Sequence, residues 1–266
     1  MKAAVISLAP TYGKTCLMSV LAGVYSRSQK KTAVIMSTGN ALDNLDIISS
    51  EIRNDAVANP YVFKSMIEAA ENGDRELLNY GVRQGSENVF VFNILGSAMS
   101  QDDKEEFFLT AMKKLPADLM LIEMCRNPLS EFNQQVLKEV DCVLCLVDQS
   151  SVSFRKLEEI RRVLNFAKEG LSDNVAYVIS RYNPDVCSDK KITAMTGIKT
   201  ASMFKFGYNP AIQKLALNSE LDTIAYDIII GDFNVVALRV QMLEIMQYLF
   251  DTSTRKIIRS IDKWYR

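Results

Sequence analysis

The 266-residue chain contains no histidine. That removes Ser-His-Asp and Cys-His nucleophilic catalysis and every zinc site that uses an imidazole. Its five cysteines are odd in number and scattered, which points to a reducing compartment rather than a disulfide framework. Cys142 and Cys145 form a C-x-x-C inside an apolar run, V-L-C-L-V in its middle. If the run is a strand, residues three apart point to opposite faces, so this pair reads as buried packing rather than a metal or redox motif. Charge of one sign is also lacking: 31 Lys and Arg against 32 Asp and Glu leave a net charge of −1. There is thus no global electrostatic case for nucleic acid. No apolar run approaches the length that spans a bilayer. The amino terminus enters a strand-like run at once, as expected of a cytoplasmic chain without a signal peptide. There is one tryptophan, Trp264, and Gly and Pro are sparse, with no Gly/Ser linker, repeat or low-complexity tract.

What is present is an alternation of short apolar runs with helix-forming stretches. Strands are expected at 5–8, 31–37, 88–95, 117–123, 141–148, 174–179 and 202–206. Helices are expected at 14–27, 62–79, 102–114, 130–138, 151–168, 192–197, 210–217 and 232–250. Ser130 is placed to cap the fourth of these, and Ser151 or Ser153 the fifth. Gly81 to Gly85 reads as loop. Most strands are continuous apolar runs rather than alternating ones, the pattern of a mostly parallel sheet covered by helices on both faces. The expected fold class is therefore α/β, doubly wound. One α/β domain is expected over 1–250, followed by a basic tail, 251–266. Ligands in such sheets sit at the carboxyl ends of the strands. There lie Gly13-Lys14-Thr15, Ser37 to Asn40, Glu123 to Asn127, Asp148-Gln149 and Ser180 to Pro184.

The stretch V-I-S-L-A-P-T-Y-G-K-T, Val5 to Thr15, runs from a strand through a loop into a helix. That is the layout of a phosphate-binding loop. Loop amides and the positive helix end meet phosphate oxygens. In such a loop Lys14 would place an ammonium on the β- and γ-phosphates, and the Thr15 hydroxyl would hold Mg²⁺. The same residues also read as an ordinary strand-to-helix turn, with Lys14 solvated and Thr15 a capping residue. The full motif wants glycine at Leu8, and Pro10 removes a loop donor.

With these segments in hand the chain resembles the ParA/MinD family of P-loop ATPases. The family's A-D-x-x-L-V-V-x-P-E-x-S-x-x-R is echoed by Val140 to Arg155, V-D-C-V-L-C-L-V-D-Q-S-S-V-S-F-R. Its N-R-Y-x-P, near the adenine, is echoed by Ser180 to Pro184. Its N-L-D is echoed by Asn44-Leu45-Asp46, and its I-P-x-D-P by Phe206 to Pro210. The resemblance implies a P-loop NTPase fold, ATP and Mg²⁺ as ligands, and nucleotide contacts from Pro10, Thr11, Tyr12, Gly13, Lys14, Thr15, Cys16, Ser180, Arg181, Tyr208 and Asn209. It implies Mg²⁺ at Thr15 and Glu123, with Lys14 and Glu123 as the catalytic pair. It also implies a homodimer, a protein partner from a pilus, secretion or partition system, and work in intracellular positioning.

The departures fall on the chemistry. Ala9 stands where the family has the lysine that crosses its dimer. Gly39 aligns with the water-orienting aspartate, which Asp43 or Asp46 would have to replace. Glu123 aligns with the Walker B aspartate, Arg126 with a small residue, and Ser180 with the adenine-reading asparagine. The expectation is a divergent member that binds nucleotide weakly or hydrolyses it poorly, a pseudo-ATPase. An active partition-type ATPase and a nucleotide-free scaffold are the other readings. The degenerate loop is similar to the TadZ/CpaE-like branch, which usually carries a further N-terminal domain. Two surface features stand apart. Ile257, Ile258, Ile261, Trp264 and Tyr265 share one helical face of the basic tail, which suits peripheral membrane contact or packing on the fold. Lys190, Lys191, Lys199 and Lys205 form a modest basic cluster, a candidate for DNA.

Overall fold

The computed structural model describes residues 1–7, 13–39, 45, 48, 59–71, 73–84, 88–124, 129–207, 209–218, 220–221 and 236–250. Among them eight strands form one sheet. They are β1 (Lys2–Ser7), β2 (Ala33–Ser37), β3 (Val82–Arg83), β4 (Val89–Phe92), β5 (Leu119–Glu123), β6 (Cys142–Val147), β7 (Val175–Tyr182) and β8 (Met203–Gly207). Their order across the sheet is β3-β4-β2-β5-β1-β6-β7-β8. Every pairing is parallel except β3 with β4.

The apolar runs form central strands because both faces of the sheet are covered. On one face lie α2 (Pro60–Ala69), α3 (Gln101–Lys114), α4 (Glu131–Lys138), α5 (Ser151–Ala167) and α6 (Asp189–Thr196). They contribute Phe63, Ile67, Phe107, Phe108, Phe132, Leu157 and Ile192 to a core shared with Ile122 and Cys145. On the other face lie α1 (Lys14–Gln29), α7 (Pro210–Asn218) and α8 (Val236–Phe250). Their Leu17, Leu21, Ile212, Met242 and Met246 pack with Leu121 and Cys142. Cys142 and Cys145 thus fall on opposite faces, as the strand geometry demands, and both are free thiols. Burial pushes each of them up to about 12. The helix α1 is buried on almost every side, because α8 packs along it and Phe250 stacks on Tyr25 at 4.7 Å.

Local chemistry sets several boundaries. Ser130 caps α4 by accepting from the Asn133 amide. The cap of α5 is Ser150, which accepts from Ser153 N, rather than Ser151 or Ser153. The expected helix over 62–79 is two elements. It stops at Ala70, whose backbone is extended, and a 3₁₀ helix, Arg75–Tyr80, follows the positive-φ turn at Gly73. The stretch after Gly81, read as loop, supplies the short antiparallel edge strand β3. Gly81 lies so close to Phe92 that a Cβ there would come within 2.7 Å of the ring. The helix α6 starts at Asp189, ahead of the expected Ile192.

Candidate functional site

Strand register brings the key residues together. In the middle of the sheet β5 lies between β1 and β2, with Glu123 opposite Val5 on one side and Ser37 on the other. The Thr38 amide donates to Glu123 O at 2.8 Å, and the Met124 amide to Val5 O at 2.9 Å. Glu123 is therefore held at the carboxyl edge by backbone bonds to both neighbours. The helix α1 begins over the same edge, directly after Gly13.

Two consecutive residues of α1 converge on Glu123. Thr15 Oγ1 donates to Glu123 Oε2 at 3.0 Å. Lys14 Nζ lies 3.5 Å from Glu123 Oε1 and donates to Met124 O at 2.8 Å. The site is desolvated: Thr15 is 4 % exposed and Glu123 3 %. The Lys14 side chain is 16 % exposed, open enough for a ligand to approach. Next along, burial above all, and then the charge of Glu123, push the Cys16 thiol up to about 11.

The start of α1 has no side-chain cap and no acidic residue in its first turn. Among the described residues no side chain caps its first amides or the positive end of its dipole. Gly13 fits closely, since a Cβ would sit 3.3 Å from Leu146 Cδ2. A buried hydroxyl and a carboxylate make a hard-oxygen pair of the kind magnesium takes, and a lysine beside an uncapped helix start suits phosphate.

A second group lies along the carboxyl ends of β6 to β8. A bulge between Ser180 and Tyr182 leaves Arg181 as the extra residue, with a left-handed backbone at φ 53°. Arg181 is exposed, whereas Ser180 is buried. Burial works against the charge of Asp148, but hydrogen bonds from the Ser150 hydroxyl and amide, with Arg181 nearby, hold its carboxyl below the usual carboxylate range. Gln149 clamps the following loop. Its Nε2 donates to Asn183 O at 3.0 Å and to Cys187 O at 2.8 Å, and its Oε1 accepts from Asn183 N at 2.7 Å. Tyr182 OH donates to Asp189 Oδ1 at 2.6 Å, and Lys205 reaches Asp189 Oδ2 at 2.7 Å while lying over the Tyr182 ring. Asn209 accepts from the Ala211 amide at 2.9 Å, at the start of α7.

Of the residues expected at the site, Gly13, Lys14, Thr15, Cys16 and Glu123 come together around the start of α1 and the end of β5. Ser180, Arg181 and Asn209 belong to the second group. Pro10, Thr11, Tyr12 and Tyr208 lie outside the described residues, as do Arg126, Asp43, Asp46 and the tail. Gly39 N donates to Ser37 Oγ at 3.2 Å. Sequence reasoning did not find the Met124 carbonyl, because a backbone acceptor leaves no trace in residue type. It also missed the Gln149 clamp and the engagement of Lys205 by Asp189. That ion pair leaves Lys190, Lys191 and Lys199 as the exposed lysines of the basic cluster. Among the described residues no three His, Cys, Asp or Glu side chains form a metal cluster, and no helix is long and apolar enough to cross a membrane.

The fold has clear relatives. A ParA family ATPase from Chlorobium tepidum superposes with a TM-score of 0.67 at 14 % identity, covering 84 % of this chain and 90 % of its own. The MinC:MinD cell division complex of Aquifex aeolicus gives 0.65 at 12 % identity, covering 95 % and 96 %. The septum site-determining protein MinD of Pyrococcus horikoshii, complexed with Mg-ADP, gives 0.54 at 14 % identity, covering 85 % and 89 %. No family model matches the sequence, and no curated protein matches it. The chain therefore has the fold of the ParA/MinD ATPases, an α/β architecture with a mostly parallel eight-stranded sheet.

Proposed function

We propose that the chain is a divergent ParA/MinD-like nucleotide-binding protein that works in intracellular positioning or partition and hydrolyses ATP weakly or not at all. The observation that carries this reading is the convergence of Lys14 and Thr15, at an uncapped helix start, on the buried Glu123. Phosphate would be received by the α1 amides and the Lys14 ammonium. Thr15 and Glu123 would hold Mg²⁺, which when bound supplies positive charge against the phosphates. A ParA family ATPase, a cell division protein complex and a septum site-determining MinD complexed with Mg-ADP among the similar structures support the choice of ligand and of role.

Weak hydrolysis follows from what occupies the water-orienting place. Phosphoryl transfer to water needs a group that positions the nucleophile. Gly39 has no side chain to do so, and Ala9 removes the lysine that would reach a partner's nucleotide. Ser180 is buried, so reading of a base would pass to Arg181, Tyr208 or Asn209. In this proposal the protein acts as a homodimer biased by nucleotide, on a protein partner of a pilus, secretion or partition apparatus. The degenerate loop favours the TadZ/CpaE-like kind of role, and the basic 251–266 tail would touch the inner membrane surface.

Thermal unfolding with and without ATP–Mg²⁺, on the wild type and on Lys14→Ala, tests the binding step. Ligand at about a hundred times its dissociation constant stabilises by roughly 2.7 kcal/mol. That is worth about 5–10 °C in a domain of this size. A shift in the wild type that is lost in the variant supports the reading. No shift in either at millimolar nucleotide overturns it and leaves a scaffold that keeps only the fold.

A further inference from the structure

We infer that the outer face of α2 is a docking surface for this chain's own basic tail, residues 251–266. The nucleotide site takes no part in it. A surface helix ordinarily has one apolar stripe and turns it inward. The helix α2 does so with Phe63 and Ile67, which are buried in the core. It then carries a second apolar stripe on its far side. Tyr61, Ser65 and Ala69 stand one turn apart there, with Val62 and Met66 beside them. Tyr61 is 62 % exposed and Val62 47 %. These five residues line an open hollow of about 400 Å³. Tyr80 stacks on Phe63 and donates its hydroxyl to Met66 Sδ, so the floor of the hollow is held by the core beneath it.

The rim of the hollow is acidic. Between residues 68 and 76, Glu68, Glu71, Asp74 and Glu76 are exposed, with Arg75 the one basic residue among them. Asp102 and Glu106, at the start of α3, are exposed as well. Lys64, on the flank of α2, is engaged by Asp103 at 3.3 Å. The tail offers the complement. Ile257, Ile258, Ile261, Trp264 and Tyr265 recur at helical spacing. Around them stand Arg255, Lys256, Arg259, Lys263 and Arg266, against Asp251 and Asp262. Laid on α2, the apolar stripe of the tail fills the hollow and its basic flanks meet the acidic rim.

The tail also starts in the right place. It follows Phe250, which stacks on Tyr25 near the end of α1. Burial, and then the charge of Asp118 just before β5, push the Tyr25 hydroxyl up to about 12. Lys114, the last residue of α3, donates to Ala70 O at 2.8 Å, at the end of α2. The origin of the tail, the start of β5 and the ends of α2 and α3 thus lie at one edge of the sheet, its amino-terminal edge. Residues 251–266 span about 24 Å as a single helix and about 50 Å extended, enough to turn round that edge onto α2. The face of the tail that would enter a lipid surface is the one that α2 covers. Docking and membrane contact therefore exclude each other, and the free protein holds its tail in reserve.

Trp264 is the only tryptophan, so its fluorescence reports on the tail alone. The test is acrylamide quenching of dilute, lipid-free full-length protein, with N-acetyltryptophanamide as the free-indole reference. One variant combines Tyr61→Ser with Ala69→Asp and spoils the apolar stripe. A second combines Glu68→Lys with Glu71→Lys and inverts the rim. All four positions are exposed, so the fold should survive, and either variant serves if the other folds poorly. Wild-type quenching is expected to be several-fold weaker than that of the reference, and to rise toward it in both variants and in high salt. Wild-type quenching equal to the reference overturns the inference. So does shielding that neither variant relieves, which places the tail elsewhere. Shielding that appears only as protein concentration rises also overturns it, by assigning α2 to a neighbouring copy's tail. Shielding that appears only when phosphatidylglycerol vesicles are added overturns the docking and leaves the proposed membrane contact standing.

Discussion

The Thr15→Val substitution isolates one bond at the heart of the site. Valine keeps the β-branched shape of threonine, so the buried packing of α1 is preserved while the hydroxyl that donates to Glu123 Oε2 at 3.0 Å is deleted. The acceptor is a carboxylate in a nearly solvent-free position, and hydrogen bonds to charged groups contribute about 1.5–3 kcal/mol. At about 2–4 °C per kcal/mol, the melting temperature should fall by roughly 3–12 °C. Thr15→Ser is the control, because it keeps the donor and loses a single methyl. The assay is denaturant unfolding of the three proteins, in which a lower midpoint at unchanged slope reports stability alone. If Thr15→Val and Thr15→Ser unfold together, the hydroxyl is not spending its bond on Glu123, and the geometry of the resting site has been misread.

Three further outcomes are expected. Gln149→Ala removes three hydrogen bonds to Asn183 and Cys187, so trypsin should cut faster at Arg181, Lys190 or Lys191, and unchanged cleavage would deny the clamp. Gly81→Ala drives a methyl into the Phe92 ring within an aromatic cluster that includes Phe63 and Tyr80, and should lower stability by about 1–3 kcal/mol, measured by denaturant midpoint. Alkaline pH should destabilise the fold. Cys16 at about 11 and Cys142 and Cys145 at about 12 all lie above the ordinary thiol value of 9.0, so the unfolded chain releases their protons first. Their contribution is complete below pH 9 and is lost as pH rises toward 12, which a melting series from pH 8 to pH 11 will show.

The central sheet was legible because it is covered on both sides. Runs such as Cys142–Val147 have no polar alternation to confuse them with anything but a buried strand. The edges were not legible for the converse reason. Val82–Arg83 is too short to form a run, and its pairing with β4 depends on a partner that no local pattern reveals. The break at Ala70 is followed by six residues without an apolar side chain, Glu71 to Glu76, which a reading of one helix over 62–79 passed over. In the site, Lys14, Thr15 and Glu123 could be read from motif and strand end, since residue type carries their chemistry. Their mutual engagement could not, because it depends on register across β1 and β5 and on one methylene of reach. The fate of Lys205 shows the same limit: a charge counted along the chain is neutralised by Asp189 in space.

The place of β1 has a consequence for how the protein is made. Ala3 pairs with Leu121 on one side and Cys142 on the other. At translation rates of about 5–20 residues per second, those partners leave the ribosome roughly 6–28 s after β1 does. During that interval the apolar run Ala3–Ile6, fully enclosed in the finished sheet, has no neighbouring strand to lie against. A strand from the centre of the finished sheet is thus the one that waits longest for a partner on the nascent chain.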